Sequence, residues 1–276
     1  MKRFLPLLGV AAFLVMALAA CGGGGGGGGG NTTTTSAASS VPNPIVYCVD
    51  TTYPPAESIV NGKPAGYDID IANAVAKQLH STAQIKTTGF DVIIGALKAK
   101  KCNAIISSMT ITPQRAKVID FTPYVNVGAF LMVKKGNPDH ISTLASLSGK
   151  SAAVESSTTE LAGLQAENKI LQKQGKPLIT IKSYPADTSA AQAIIHGHVS
   201  AYFADAPPVL YYIRTTNGQF ETAGKQVETA PEGIGTRKGD PLRAKIAAAV
   251  AALYHSGQMK TILAKWQASQ FALSGK

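Results

Sequence analysis

From residue 45 onward the chain alternates between two hydrophobic periods. Short apolar runs predict strands over 45–49, 84–87 and 103–107. Between them, apolar residues four apart (Ile71, Val75 and Leu79) predict a helix over 69–79, and a second helix is predicted over 92–100. Beyond Phe121-Thr122-Pro123 comes a strand over 127–134, ended by Gly136-Asn137-Pro138. A second series follows, with strands over 151–155, 179–184 and 199–204 and helices over 158–174, 188–196 and 207–216. Strands over 226–229 and 233–237 precede two closing helices, 242–256 and 259–267. Repeated β-α-β units predict an α/β fold of mainly parallel sheets covered by helices. Two such series joined by extended connectors predict two lobes with a ligand between them.

The first 43 residues follow another logic. Lys2 and Arg3 form a charged start, 4–17 is apolar, and Leu18-Ala19-Ala20-Cys21 is a small-residue cleavage site, so 1–20 reads as a signal peptide. The apolar run is short for a membrane span, which needs about 20 residues. The Gly run 22–30 and the Asn/Thr/Ser/Ala stretch after it make 21–43 a flexible tether, with a reach of roughly 25 Å. The Gly run formally matches G-x-G-x-x-G. With no strand before it and no helix after it, the match carries no dinucleotide site.

Composition narrows the classes. With 45% hydrophobic and 15% charged residues in 276, the chain is globular with ample core. The net charge of +10 comes from scattered Lys residues without interleaved aromatics, which argues against a nucleic-acid face. Among the three cysteines, Cys48 falls in the first strand and Cys102 opens the third. If Asp50 and Ser107 are level, Cys48 lies beside Ile105 and Cys102 is roughly 10 Å away along the strand. Two buried thiols are therefore expected.

The densest chemistry is Ser107-Ser108-Met109-Thr110-Ile111-Thr112-Pro113-Gln114-Arg115. Thr112 fits a helix N-cap and Pro113 the first helical position, which puts Arg115 at the third, a poor place for a cation unless an anion binds there. Hydroxyls and backbone donors at a strand's carboxyl end, with a guanidinium fork, form a carboxylate receiver. The alternative is an Arg115 paired with a surface acid such as Asp120.

This run, together with Asp50-Thr51-Thr52-Tyr53-Pro54-Pro55-Ala56-Glu57-Ser58 and Gly66-Tyr67-Asp68-Ile69-Asp70, resembles the polar amino-acid-binding proteins of ABC importers, solute-binding protein family 3. The resemblance runs from about Ile45 to Trp266. It implies a two-lobe type II periplasmic-binding-protein fold with two hinge strands: lobe 1 from 44–133 and 232–276, lobe 2 from 134–231. Leu-Ala-Ala-Cys resembles a lipobox, which implies acylation of Cys21 and anchoring to the cell membrane on its extracytoplasmic side. The partners implied are a free L-amino acid and an ABC permease, with the receptor a monomer. No cofactor is implied.

Carried over by position, Arg115 would hold the ligand's α-carboxylate with Ser108, Thr110 and backbone N–H groups. Ser107 belongs to the same wall. Thr158 and Thr159 open a helix whose free N–H groups favour an anion, with Ser157 and Glu160 spaced as a capping box. Asp205 would take the α-ammonium, although Asp before Ala-Pro-Pro is also a good N-cap. Tyr53 and Phe90 match aromatics that flank the ligand side chain, and Tyr67 is left to the core. Asp50 matches the residue at the ligand's far end in binders of cationic amino acids and of glutamine alike. Glu155 departs from the Lys of similar glutamine binders. If it faces the cleft, it favours a cationic side chain (Arg, Lys or ornithine) over glutamine; otherwise it pairs with a Lys or with water. Asn103 and Ser200 replace acids common in the family and are expected to alter surface turns only.

Enzyme motifs are absent: there is no G-x-S-x-G, no P-loop and no H-E-x-x-H. His196 and His198 are expected on the surface, without the further ligands of a metal site. The family resembles cyclohexadienyl dehydratases, so an arogenate or prephenate dehydratase with Glu155 as general acid is the rival function. A sensory module is a third reading.

Overall fold

A computed structural model describes residues 41–227 and 229–275. The predicted signal peptide, Cys21 and nearly all of the tether lie outside them.

The first sheet begins with β1 (Ile45–Val49). A small antiparallel sheet follows, formed by β2 (Thr52–Tyr53), β3 (Glu57–Val60) and β4 (Lys63–Ala65). Next come α1 (Tyr67–Gln78), β5 (Ala83–Thr87), α2 (Ile93–Lys98), β6 (Ala104–Ile105), α3 (Pro113–Val118) and β7 (Ile119–Val127). The second sheet is built from β8 (Ala129–Lys134), β9 (Ser151–Glu155), α4 (Thr159–Lys173), β10 (Thr180–Tyr184), α5 (Asp187–Ile195), β11 (Ala201–Asp205), α6 (Ala206–Thr215) and β12 (Phe220–Ala223). The chain then returns to the first sheet as β13 (Ala230–Arg237) and closes with α7 (Leu242–His255) and α8 (Gln258–Lys265).

The two sheets share one plan. Their orders are β5-β1-β6-β13-β7 and β10-β9-β11-β8-β12, each with three parallel strands followed by two antiparallel ones. Helices cover both faces of each. In the first, Ile71 and Val75 of α1 pack with Ile246, Val250 and Leu253 of α7 over Tyr47 and Val49, while Ile93 and Leu97 of α2 cover the other face. In the second, Leu164 and Leu171 of α4 lie opposite Ala190, Ile194 and Val209 of α5 and α6. Strands covered on both faces read as continuous apolar runs, the signal that located them in the sequence.

The chain crosses between sheets twice, and the crossings lie side by side. Val127 pairs with Ala230, and the Val227 N–H donates to the Ala129 carbonyl (2.8 Å). Gly128 sits between β7 and β8 because a Cβ there would collide with the Val227 carbonyl. Its own carbonyl accepts from the Ala206 N–H (2.8 Å), which fixes the start of α6 beside the crossing.

Several expectations need correction. Strand 226–229 does not form; β12 takes its place at Phe220–Ala223. The connector at 121–123 lies within β7, whose Pro123 is tolerated because β7 is an edge strand. The predicted strand over 103–107 shrinks to two residues, although Cys48 does align with Ile105. That shortening overturns the expectation of free thiols: Cys48 and Cys102 form a disulfide with Cα atoms 5.7 Å apart. Cys102 precedes the strand and enters from a left-handed turn at Lys100 (φ 57°), so it is not displaced along a straight strand axis. On the chain-entropy account, closing this 54-residue separation contributes about 4 kcal/mol.

A layer of carboxyls is buried beside the first sheet. Glu57 of β3, Asp68 of α1 and Glu232 of β13 are each at most 1% exposed. Asp68 accepts from the Ser108 N–H (2.9 Å) and the Tyr124 hydroxyl (2.9 Å), and Glu57 accepts from the Ser107 hydroxyl (2.9 Å). Burial raises Asp68 to about 6 and holds Glu57 well above the usual carboxylate range, with Asp68 beside it adding to the rise. Neither oxygen of Glu232 has a hydrogen-bond partner, and burial, then the neighbouring Asp205, push its pKa well up. A carboxyl raised on folding contributes its stability below the unfolded pKa and loses it as pH rises through the folded one. Glu232→Gln should therefore match the parent near pH 4 and exceed it at about pH 8, by roughly 1–2 kcal/mol or a few degrees in Tm. Thermal unfolding of both proteins across that range checks it, and a constant difference would count against an ionisable Glu232 as the cause.

Candidate functional site

The carboxyl ends of β1, β6, β9 and β11 point into the space between the sheets, the usual ligand crevice of an open α/β sheet. They carry Asp50, Ser107, Glu155 and Asp205. A cavity lies there, of about 290 Å³ when the solvent space at its mouth is included. All eleven residues named from the sequence line it: Asp50, Tyr53, Phe90, Ser107, Ser108, Thr110, Arg115, Glu155, Thr158, Thr159 and Asp205. Glu57 and Glu160 complete the wall and were missed.

Arg115 sits where the sequence predicts. Thr112 caps α3, accepting from the Arg115 N–H (3.2 Å), and Pro113 opens the helix. The guanidinium turns back to the cavity, donating to the carbonyls of Thr110 (2.8 Å) and Ser157 (3.0 Å), 5.3 Å from the Phe90 ring centre. The surface-pair alternative fails, because Asp120 instead accepts from Lys238 (2.7 Å) and the Gly239 N–H (2.8 Å). Burial lowers the Arg115 pKa, while Glu160, Asp205 and Glu232 oppose the shift. Ser108 and Ser157, at φ 39° and 65°, hold left-handed backbone on opposite lips of the cavity, the kind of local strain that collects at binding sites.

On the other lobe the predicted capping box does not form, because the helix starts one residue later than expected. Thr158 is the N-cap, accepting from the Leu161 N–H (3.1 Å), and Ser157 is not. Glu160 is thereby freed from capping; its carboxylate accepts from the Thr159 hydroxyl (3.1 and 3.0 Å) inside the cavity wall. Asp205 precedes α6 but makes no side-chain cap. Its carboxylate accepts from the Tyr53 hydroxyl across the cleft (2.9 Å), so the capping alternative does not explain it. Burial, then Glu160, raise its pKa well above the ordinary value. Tyr67 stays in the core with its hydroxyl 3.3 Å from that of Ser108.

The far end of the cavity is acidic. Asp50 accepts from the N–H groups of Thr52 (3.0 Å) and Phe90 (2.7 Å). Glu155 is 4% exposed, one oxygen lacks a partner, and no Lys reaches it. Burial, then Asp187 and Asp50, push it to about 10. Asp187 opens α5 just behind it, fully buried, another acid missed from the sequence.

Among the described residues four hydrogen bonds tie the lobes across the cleft: the Tyr53 hydroxyl to the Asp205 carboxylate, the Asp205 N–H back to the Tyr53 hydroxyl oxygen (3.3 Å), Arg115 to the Ser157 carbonyl, and the Asp187 N–H to the Thr52 hydroxyl (3.2 Å). The cavity is thus closed over. Asn103 and Ser200 lie away from it, as expected, accepting from Val46 N–H and donating to Ser151. His196 and His198 are exposed with rings 6.2 Å apart, and among the described residues no cluster of three metal-ligating side chains occurs.

Known proteins are similar to this chain. The chain is 33% identical to ABC transporter arginine-binding protein 1 of Escherichia coli K12, over 83% of this chain and 92% of that one. It is 28% identical to an L-cystine-binding protein of the same organism, over 79% and 80%. An ancestral arginine-binding protein bound to arginine superposes with a TM-score of 0.75 at 33% identity, covering 82% of this chain and 98% of that one. Residues 45–269 match the model of the bacterial extracellular solute-binding proteins, family 3, and the chain belongs to that family.

Proposed function

We propose that the chain is an extracytoplasmic receptor that captures an L-amino acid with a cationic side chain and delivers it to an ABC permease. One observation carries the ligand class. Asp50, Glu57, Asp68, Glu155, Glu160, Asp187, Asp205 and Glu232 are all buried in and around a cavity whose only cationic wall residue is Arg115. Uncompensated buried carboxylates are costly, and a ligand bringing positive charge relieves that cost.

In this reading Arg115 grips the α-carboxylate with the donors that Thr110 and Ser157 leave free. Ser108, Thr110, Thr158 and Thr159 add hydroxyl and backbone donors, and Ser107 supports Asp50 through its hydroxyl (2.9 Å). Asp205 takes the α-ammonium, Tyr53 and Phe90 flank the aliphatic stem, and Asp50 and Glu155 face the cationic end. Arginine heads the series because its delocalised fork serves several acceptors at once, and the relatives named above include arginine-binding proteins. Lysine and ornithine follow, with glutamine as the neutral alternative. Acylation of Cys21 would hold the receptor at the membrane, with the tether letting it reach the permease.

A second reading draws on one feature. A carboxyl held protonated, as burial holds Glu155, is what a general acid in a dehydratase needs. Turnover of prephenate or arogenate by the purified protein would establish it.

Three outcomes test the transport reading. Arg115→Ala should weaken the binding of every amino acid at least about a hundredfold by calorimetry, since it strands a carboxylate in a closed site. Near-parental affinity would remove the assigned carboxylate receiver. Glu155→Lys should reverse ligand preference, weakening arginine about a hundredfold or more while glutamine holds or tightens. An unchanged preference would show that Glu155 does not set the ligand class. For the anchor, Cys21→Ser should shift the protein from the membrane to the soluble fraction and abolish palmitate labelling; retention at the membrane would refute it.

A further inference from the structure

Asp187 does not line the cavity, yet its surroundings single it out. It stands in the first turn of α5, fully buried, with Oδ1 accepting from the Tyr202 hydroxyl and Oδ2 without a partner. Glu155 at the end of β9 is its neighbour and also has an unpartnered oxygen, Oε1. Asp50 at the end of β1 completes a group of three carboxyls from three elements. The donors are unequally shared: Asp50 receives two N–H groups, as an ionised carboxylate requires. The groups facing the Glu155 and Asp187 side chains are Asp50, Glu160 of α4, Tyr53 of β2, Tyr202 of β11 and Tyr212 of α6. None is a cation.

We propose that Asp187 is a specificity residue acting through Glu155: the two carboxyls hold a proton in the ligand-free cleft, and a cationic side chain enters by displacing it to solvent. This rests on the binding reading above and adds a mechanism to it. Two adjacent buried carboxyls beside an ionised third cannot both ionise without a counter-charge. Burial first, and then the surrounding acids, raise both groups, Glu155 to about 10 and Asp187 to about 8, the direction that keeps protons on the pair. A guanidinium supplies the missing charge and donors, so the proton leaves as the cation arrives. A neutral side chain of the same shape leaves it in place. Binding of cations therefore strengthens as pH rises, in proportion to the protons released.

The test compares arginine with its neutral isostere citrulline, and with glutamine, in phosphate and Tris buffers at about pH 7. The buffer dependence of the calorimetric enthalpy counts protons, and the α-ammonium end is common to all three ligands. Arginine should release about one proton more than the neutral ligands. Asp187→Asn should lower that excess to about half or less and weaken arginine roughly tenfold, leaving the neutral ligands within about twofold. Tyr202 can still bond the amide, and retained glutamine binding shows an intact site. If the variant does not fold, the parent's arginine-to-glutamine affinity ratio, which should rise between about pH 6 and pH 8, decides the matter. Equal proton counts, an excess untouched by Asp187→Asn, or a flat ratio would overturn the inference alone. Failure of all the amino acids to bind would overturn the reading beneath it.

Discussion

The cost of burying negative charge governs this molecule. Eight carboxyls are withdrawn from water in and around the cleft, against one guanidinium that is itself only partly buried. Among the described residues the ion pairs Arg237–Asp240, Lys238–Asp120 and Lys265–Asp70 lie outside the cleft, at least partly open to solvent. Exposed pairs of that kind contribute about 0–1 kcal/mol and leave the interior deficit untouched. The interior instead lowers its charge by keeping protons, as the raised carboxyl pKa values show, and by hydrogen bonds from Tyr53, Tyr124, Tyr202 and Ser107.

The fold concentrates that charge through repetition. Two sheets of the same plan face one another with the carboxyl ends of their parallel strands, so a residue just beyond a strand in either lobe arrives at the same small space. Asp50 and Glu155 are examples, each ending the middle strand of its own parallel trio. The paired crossings at Gly128 place Asp205 beside them, within hydrogen-bonding reach of Tyr53 on the other lobe.

The sequence exposed the parts of this design that rest on local rules. Thr112-Pro113 marked a helix start, and the displaced Arg115 followed from it. Apolar runs revealed the doubly covered strands. What stayed hidden depended on where a chain bends. Cys102 was placed on a straight strand that ends before reaching it, so the disulfide was missed. Asn61-Gly62, with φ of 50° and 75°, is a hairpin signal between β3 and β4 that had been passed over. Glu160 was absorbed by an expected capping box that does not form, since the N-cap is Thr158 and not Ser157, and Asp187 looked like an ordinary first-turn acid. Acids at helix starts are common for dipole reasons alone, so only burial distinguishes these two from solvated ones. Burial at a site between lobes depends on both sheets at once, and no single stretch of sequence carries it.

That same geometry makes ligand and closure interdependent. Each inter-lobe hydrogen bond engages a group on the cavity wall or the acid behind it: Tyr53 with Asp205, Thr52 with Asp187, Arg115 with Ser157. Drawing the lobes together without a cation gathers Asp205, Glu160 and Glu232 at one end and Asp50, Glu155 and Asp187 at the other, removing water from all six. Four hydrogen bonds are a small return for that. On the proposed reading, a ligand with positive charge at both ends would reverse the balance, because it would have its strongest interactions only in the closed state, and a population shifts only by such a difference in affinity. On that reading charge surplus couples capture to shape: the acids that would make an empty closed cleft unfavourable are the ones that would make a filled one stable.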